Sequence, residues 1–182
     1  MSIVAISGSP SANSRSTALL RHVLARFDDG VPRAEIALRE LPPAALVRAE
    51  LADAAIAGAL AQVAAARLVL VATPIYKAAY SGLLKTFLDL LPQDGLRGKT
   101  VLAIGTGGSS AHLLALDYAL KPVLATLGAR HILDTIYAVD AQLHARGAGG
   151  YAVHDELAAR VDRALADGPF GLRAAPPVAL AA

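Results

Sequence analysis

Five short apolar runs, each trailed by a segment of helical periodicity, constrain this chain more than any other feature of its sequence. The runs occupy 2–7, 34–38, 68–72, 100–105 and 131–138. Helical spacing of apolar residues follows at 16–27, 53–66, 81–91, 111–127 and 155–166. In the first of these the stripe is Leu19, Leu20, Val23, Leu24 and Phe27; Pro92 closes the third and Gly128 the fourth. Strands separated by helices pair in parallel through crossovers, so the expected class is α/β, a doubly wound parallel sheet with helices on both faces. Either of two common strand orders fits this alternation. The segment 41–50, with Pro42-Pro43, reads as a loop, and 147–150 as a glycine-rich loop. From 168 to 182 the Ala/Pro composition reads as a disordered tail. A chain of 182 residues has room for one domain with a full core, so 1–167 is expected to form a single domain.

Composition narrows the function. Hydrophobic residues reach 55% and charged ones only 18%, which leaves less polar surface than a monomer needs and points to a homo-oligomer. The formal charge of +2 is spread without a Lys/Arg run, which argues against a nucleic-acid surface. Without cysteine there is no disulfide, thiolate chemistry or Cys-based metal site. His112, His131, His144 and His154 are not at metal-ligand spacings, and His22 falls on an expected surface helix, so no metal site is expected. Neither a signal peptide nor a membrane span is expected, since the start lacks a basic region and no charge-free apolar run reaches about 20 residues. The expected location is cytoplasmic.

Three strand-to-helix connections carry the chemistry. The first, 7–17, contains Ser9, Ser14, Arg15 and Ser16 and ends where a helix begins. A helix amino terminus with hydroxyls and a guanidinium suits a phosphate. The dinucleotide and nucleotide-triphosphate glycine patterns are absent, which favours a monophosphate; the plainer reading is a serine-rich helix cap. The second, 73–82, offers Pro74, Ile75, Tyr76 and Lys77, either as one wall of a flat ligand's site or as a connection with surface tyrosines. The third offers Thr106, Gly107, Gly108 and Ser109, either a close backbone approach to a ligand or a flexible turn. In the order 2-1-3-4-5 these connections flank the switch point of the sheet. A phosphate at the first and a planar ring between the other two describe FMN.

The chain resembles the NADPH-dependent FMN reductases of the flavodoxin-like superfamily. Within that family it is most similar to those that supply reduced flavin to two-component alkanesulfonate monooxygenases. The resemblance rests on Gly8-Ser9-Pro10 with Ser14-Arg15-Ser16, on 72–92, and on Thr106-Gly107-Gly108 with 111–124. It covers 1 to about 140; from Gln142 on the match is poor. The family often carries an arginine where this chain has Ser11, so Arg15 takes more of the phosphate charge. The resemblance implies a flavodoxin-like five-stranded sheet of order 2-1-3-4-5. It implies hydride transfer from NADPH to loosely held FMN, delivery of FMNH2 to a flavin-dependent monooxygenase, and a homotetramer. The runner-up is an FMN-containing quinone or azo reductase. A flavodoxin-like electron carrier is disfavoured, because such carriers are acidic and this chain is basic and lacks Trp.

Two residues are expected to touch catalysis. Lys77 would place a cation beside the reduced ring. Tyr118 lies one helical turn before Pro122, which offers no N–H to the Tyr118 carbonyl, so the helix either kinks or widens into a π-bulge there. The resemblance implies the bulge, with Tyr118 at a subunit interface near the flavin. His112 and Asp117, on the same helix, read as structural or interfacial rather than catalytic.

Overall fold

Burial on both faces decides which runs become central strands. In the computed structural model, which describes residues 2–147 and 149–166, every residue of β1 (Ile3–Ser7) is buried. In β2 (Arg33–Ala37) only Ile36 is, and that strand lies at the sheet edge. β1 pairs in parallel with β2 and with β3 (Leu68–Tyr76), and β3 pairs in parallel with β5 (Thr100–Gly107). The far side of β5 carries β6 (His131–Ile132) and β7 (Ile136–Val139), both parallel. Counted by apolar runs, this is the order 2-1-3-4-5. The fifth run is split, because 133–135 leave the ladder.

Alternation along the strands fills two cores. On one face α1 (Arg15–Leu24) and α6 (Asp155–Ala166) bring Leu19, Leu20, Val23, Leu157, Val161 and Leu165 onto Ile3, Ala5, Leu68 and Leu70. On the other, α2 (Pro43–Arg48), α3 (Ala54–Ala65), α4 (Gly82–Leu88) and α5 (Lys121–Thr126) cover Val4, Ile6, Val69 and Val71. Each such fully buried aliphatic side chain contributes about 1.5–3 kcal/mol relative to exposure.

The structure corrects several sequence expectations. The segment 41–50 is not simply a loop, since it contains α2. Its Pro43 stands in the first turn, where the missing N–H is no loss and the fixed φ suits a helix. The strand at 68–72 runs on to Tyr76 and turns back through β4 (Ala79–Tyr80), so most of the second connection is a hairpin. A second hairpin, β8 (Leu143–Ala145) with β9 (Tyr151–Val153), stands where only a glycine-rich loop was read. Its turn uses Gly149 and Gly150 at φ 94° and 79°. The expected helix 111–127 is interrupted: a 3-10 turn at Ser110–His112, a π turn at Leu116–Leu120, then α5. Pro122 gives the reason, and the Lys121 N–H reaches back five residues to the Leu116 carbonyl. The tail expected at 168–182 lies outside the described residues. Among those described, no helix is long and apolar enough to cross a membrane.

Candidate active site

The first two connections are tied together by buried hydroxyls. Where β1 ends, the Gly8 N–H donates to the Ala72 carbonyl at 2.8 Å. A Cβ on Gly8 would stand 2.8 Å from Leu84 Cβ and 3.1 Å from the Ala72 oxygen, so only glycine allows this approach. Ser81 caps α4 by accepting the Leu84 N–H at 3.1 Å, and its hydroxyl donates to the Gly8 carbonyl at 2.5 Å. The Thr73 hydroxyl accepts the Ser81 N–H at 2.9 Å and donates to the Pro74 carbonyl. Thr73 and Ser81 are both buried. Sequence reasoning passed over them, although Ser81, just ahead of the helical pattern at 82, carries an N-cap signal.

Around the start of α1 the polar groups are unusually enclosed. Ser9, Ser14 and Ser16 are buried. Ser14 is the N-cap and accepts the Thr17 N–H at 3.2 Å; its hydroxyl lies 3.0 Å from that of Ser16. The hydroxyls of Ser7 and Thr17 meet at 2.7 Å, and Ser9 accepts the Ser11 N–H. Arg15 opens the helix. Its guanidinium lies 5.0 Å from the Tyr151 ring centroid, with Nη1 at 3.5 Å from Asp140. Its Nε is buried without a hydrogen-bond partner. Hydroxyls, a helix amino terminus and a guanidinium thus gather at one end of β1, groups of the kind that can receive an anion.

The second connection projects beyond the sheet as the β3–β4 hairpin. Its turn residues Lys77 and Ala78 have φ 51° and 63°. Two consecutive left-handed residues make a turn of the kind that Asn-Gly usually fills, and the conformation costs roughly 1–2 kcal/mol per non-glycine residue. Tyr76 is 51% exposed and Lys77 is exposed as well. Pro74 is beside Thr106 in the β3–β5 register, which sets the second and third connections side by side.

The third connection is braced from behind. The Tyr137 hydroxyl donates to the Ser109 carbonyl at 2.6 Å, and a Cβ on Gly107 would collide with that hydroxyl. Arg160 of α6 donates to the Tyr137 carbonyl at 2.6 Å. Burial, and then the nearby charge of Asp140, push the Tyr137 phenol above its usual pKa. Thr106 is buried, while Gly108 and Ser109 are exposed. A pocket of about 340 Å³ lies behind this connection between Ser110, Leu113, Tyr137, Gln142 and Arg160, and contains no candidate residue of the first two. Tyr118 sits in the π turn, which β4 touches, yet it is 78% exposed in the single chain. Asp117, read as structural or interfacial, pairs with Lys121 at 2.5 Å. His22 is half-buried on α1 rather than on an open surface, and its Nε2 has no partner.

The geometry gathers a hydroxyl-rich helix start, a hairpin and a braced glycine turn at the carboxyl ends of adjacent strands. Comparison with known proteins agrees in extent. The family model described as NADPH-dependent FMN reductase matches residues 1–144. An FMN reductase (NADPH) of Escherichia coli (strain K12) is 44% identical over 144 residues, covering 79% of this chain and 75% of that protein. The NADH-dependent FMN reductase SfnE of Pseudomonas putida is 35% identical over 150 residues, 79% of each chain. The crystal structure of an NADH:FMN oxidoreductase, EMOB, in its apo form superposes with a TM-score of 0.81. It is 45% identical and covers 96% of this chain and 91% of its own.

Proposed function

The chain belongs to the NADPH-dependent FMN reductase family, an oxidoreductase family, and from that premise we propose that it binds FMN across the three connections and reduces it with NADPH. The observation that carries the reading is the cradle at the start of α1: buried Ser9, Ser14 and Ser16 beside an arginine whose Nε has no partner. These residues fit a phosphate monoester, with Arg15 supplying the cation. The hairpin residues Pro74, Ile75, Tyr76 and Lys77 and the turn Thr106, Gly107, Gly108 and Ser109 would flank the ring, and Lys77 holds a positive charge at its rim. Bound there, FMN supplies the acceptor for a hydride from the reduced nicotinamide. The chain's own part is to orient the ring and the coenzyme. No acid–base pair is needed for that step, and Tyr118 is assigned to the subunit boundary beside the ring.

The finer reading is a reductase that releases reduced flavin to a flavin-dependent monooxygenase, acting as a homotetramer in the cytoplasm, with 1–167 as its single domain. Exposed Leu113, Leu114 and Tyr118 support assembly. So does the groove of about 380 Å³ where Leu88, Leu91, Pro122, Val123 and Leu127 meet between α4 and α5. The resemblance of 72–92, of Thr106-Gly107-Gly108 and of 111–124 to the alkanesulfonate-type reductases supports the partner.

The test is coenzyme oxidation with and without added FMN, run with NADPH and with NADH. A protein that purifies colourless and saturates with FMN fits the proposal. A yellow protein that needs no added flavin and reduces quinones belongs to the quinone-reductase reading. Arg15→Ala should weaken FMN about 10- to 150-fold, the equivalent of one charge-assisted hydrogen bond, and leave riboflavin nearly unchanged. Equal losses for the two flavins would remove the phosphate assignment.

A further inference from the structure

Arg15 is not free to meet a phosphate. Its Nη1 is 3.5 Å from the Asp140 carboxylate, with the two side chains 39% and 45% exposed. Asp140 opens the 3-10 turn Asp140–Gln142 that follows β7. Tyr151, from β9, lies under the same guanidinium at 5.0 Å. Both partners therefore come from the region 140–153, beyond the three connections that form the cradle. The contact to Asp140 is a single long one, and Nε is left with no partner at all. A bidentate pair would have engaged two of the guanidinium's five donors in parallel. This one is a single, partly exposed contact that leaves the remaining donors open to a second partner.

We propose that Asp140 sets how firmly the flavin phosphate is held, by competing with it for Arg15. The inference rests on the reading that Arg15 is the phosphate cation, and it adds an affinity-determining residue to that site. An incoming phosphate meets an arginine already paired, and must displace the Asp140 carboxylate to reach it. Tyr151 keeps the guanidinium in place through either pairing, since stacking does not consume its N–H donors. FMN therefore binds more loosely than the cradle alone would allow, as a flavin exchanged at each turnover requires.

The test compares FMN with riboflavin, which lacks the phosphate, on wild type, Asp140→Asn, Arg15→Ala and the double variant. Dissociation constants are read from quenching of flavin fluorescence at low and high salt. Partly exposed ion pairs are weak, but a phosphate monoester carries close to two charges, so Asp140→Asn should tighten FMN about three- to tenfold at low salt. Riboflavin should be unaffected, the gain should shrink at high salt, and it should largely vanish in the Arg15→Ala background. Asp140→Asn that weakens FMN, or shifts both flavins alike, would show that Asp140 only anchors the 140–153 segment, and the proposal falls. Tightening that survives intact without Arg15 also overturns it, because Asp140 would then act on the ligand directly. If Arg15→Ala fails to separate FMN from riboflavin, the underlying phosphate reading is what fails, and this inference goes with it.

Discussion

Gly107→Ala is the most exacting check on how the ring-side connection is held. Its new Cβ would run into the Tyr137 hydroxyl, while the next neighbours, Tyr137 Cζ and Ile75 Cβ, stand at 3.4 and 3.6 Å. The obstacle is thus one oxygen atom, and that oxygen also donates to the Ser109 carbonyl at 2.6 Å. Tyr137 is 8% exposed, so the ring cannot swing aside cheaply. Overpacking of this kind costs typically 1–3 kcal/mol, and here it also breaks the hydrogen bond. Tyr137→Phe alone removes the bond without a clash and should cost about 0.5–1.5 kcal/mol. In the double variant the obstructing oxygen is gone, and a phenyl edge at 3.4 Å is ordinary contact. Gly107→Ala combined with Tyr137→Phe should therefore be no less stable than Tyr137→Phe alone, so that one substitution rescues the other. The assay is urea unfolding of all four proteins, with FMN and riboflavin affinity measured in parallel. Both flavins should weaken together in Gly107→Ala, since the perturbation lies on the ring side. Additive losses in the cycle would refute the account of Gly107 as a glycine made necessary by Tyr137.

Three further outcomes are expected. Lys77→Met should slow flavin reduction in stopped-flow absorbance more than it weakens oxidised FMN; a loss confined to binding would reduce Lys77 to a simple contact. Tyr118→Ala should purify yellow, lose steady-state turnover and alter the assembly seen by light scattering, whereas a colourless variant with normal turnover would leave Tyr118 as surface filler. His22 has its pKa lowered by burial, then by the charge of Arg26, so folding favours its neutral form. That contribution is complete above the unfolded value of 6.5 and is lost as pH falls through 6.5 toward the depressed folded value; His22→Gln should flatten the pH dependence of urea stability across that window.

What the sequence made legible was whatever a short window can encode. The strands at 3–7, 68–72 and 100–105 announce themselves because strands buried on both faces must be apolar throughout, whereas the extensions to Tyr76 and Gly107 carry no such apolar run. Pro122 announced an irregular helix because a missing N–H is a local fact, and the family resemblance chose the π turn over a kink. Arg15, Ser14 and Ser16 were readable because a helix start and its cap lie within four residues. By contrast α2 was hidden by a proline pair that reads as a stop unless the helix is known to begin there. β8 and β9, three residues each, are too short to show alternation. Tyr137, Asp140, Tyr151 and Arg160 owe their places to contacts between segments far apart in the chain. Tyr137 braces Ser109 from 28 positions away, and no spacing rule connects them.

Those long-range contacts also divide the site into two mechanical parts. Thr73, Ser81 and Gly8 form a buried network in which each hydroxyl both donates and accepts. Breaking any member would strand a buried partner, so this part is stiff and fixes where β1 and β3 deliver their connections. The charges offered to a ligand are built the opposite way. Lys77 stands exposed on a strained turn, and Arg15 is held by a loose pair that is itself partly exposed. Exposed charges are screened and exchange partners readily. On the proposed function, such a cleft would select FMN by the shape of its walls and grip it lightly through its charges.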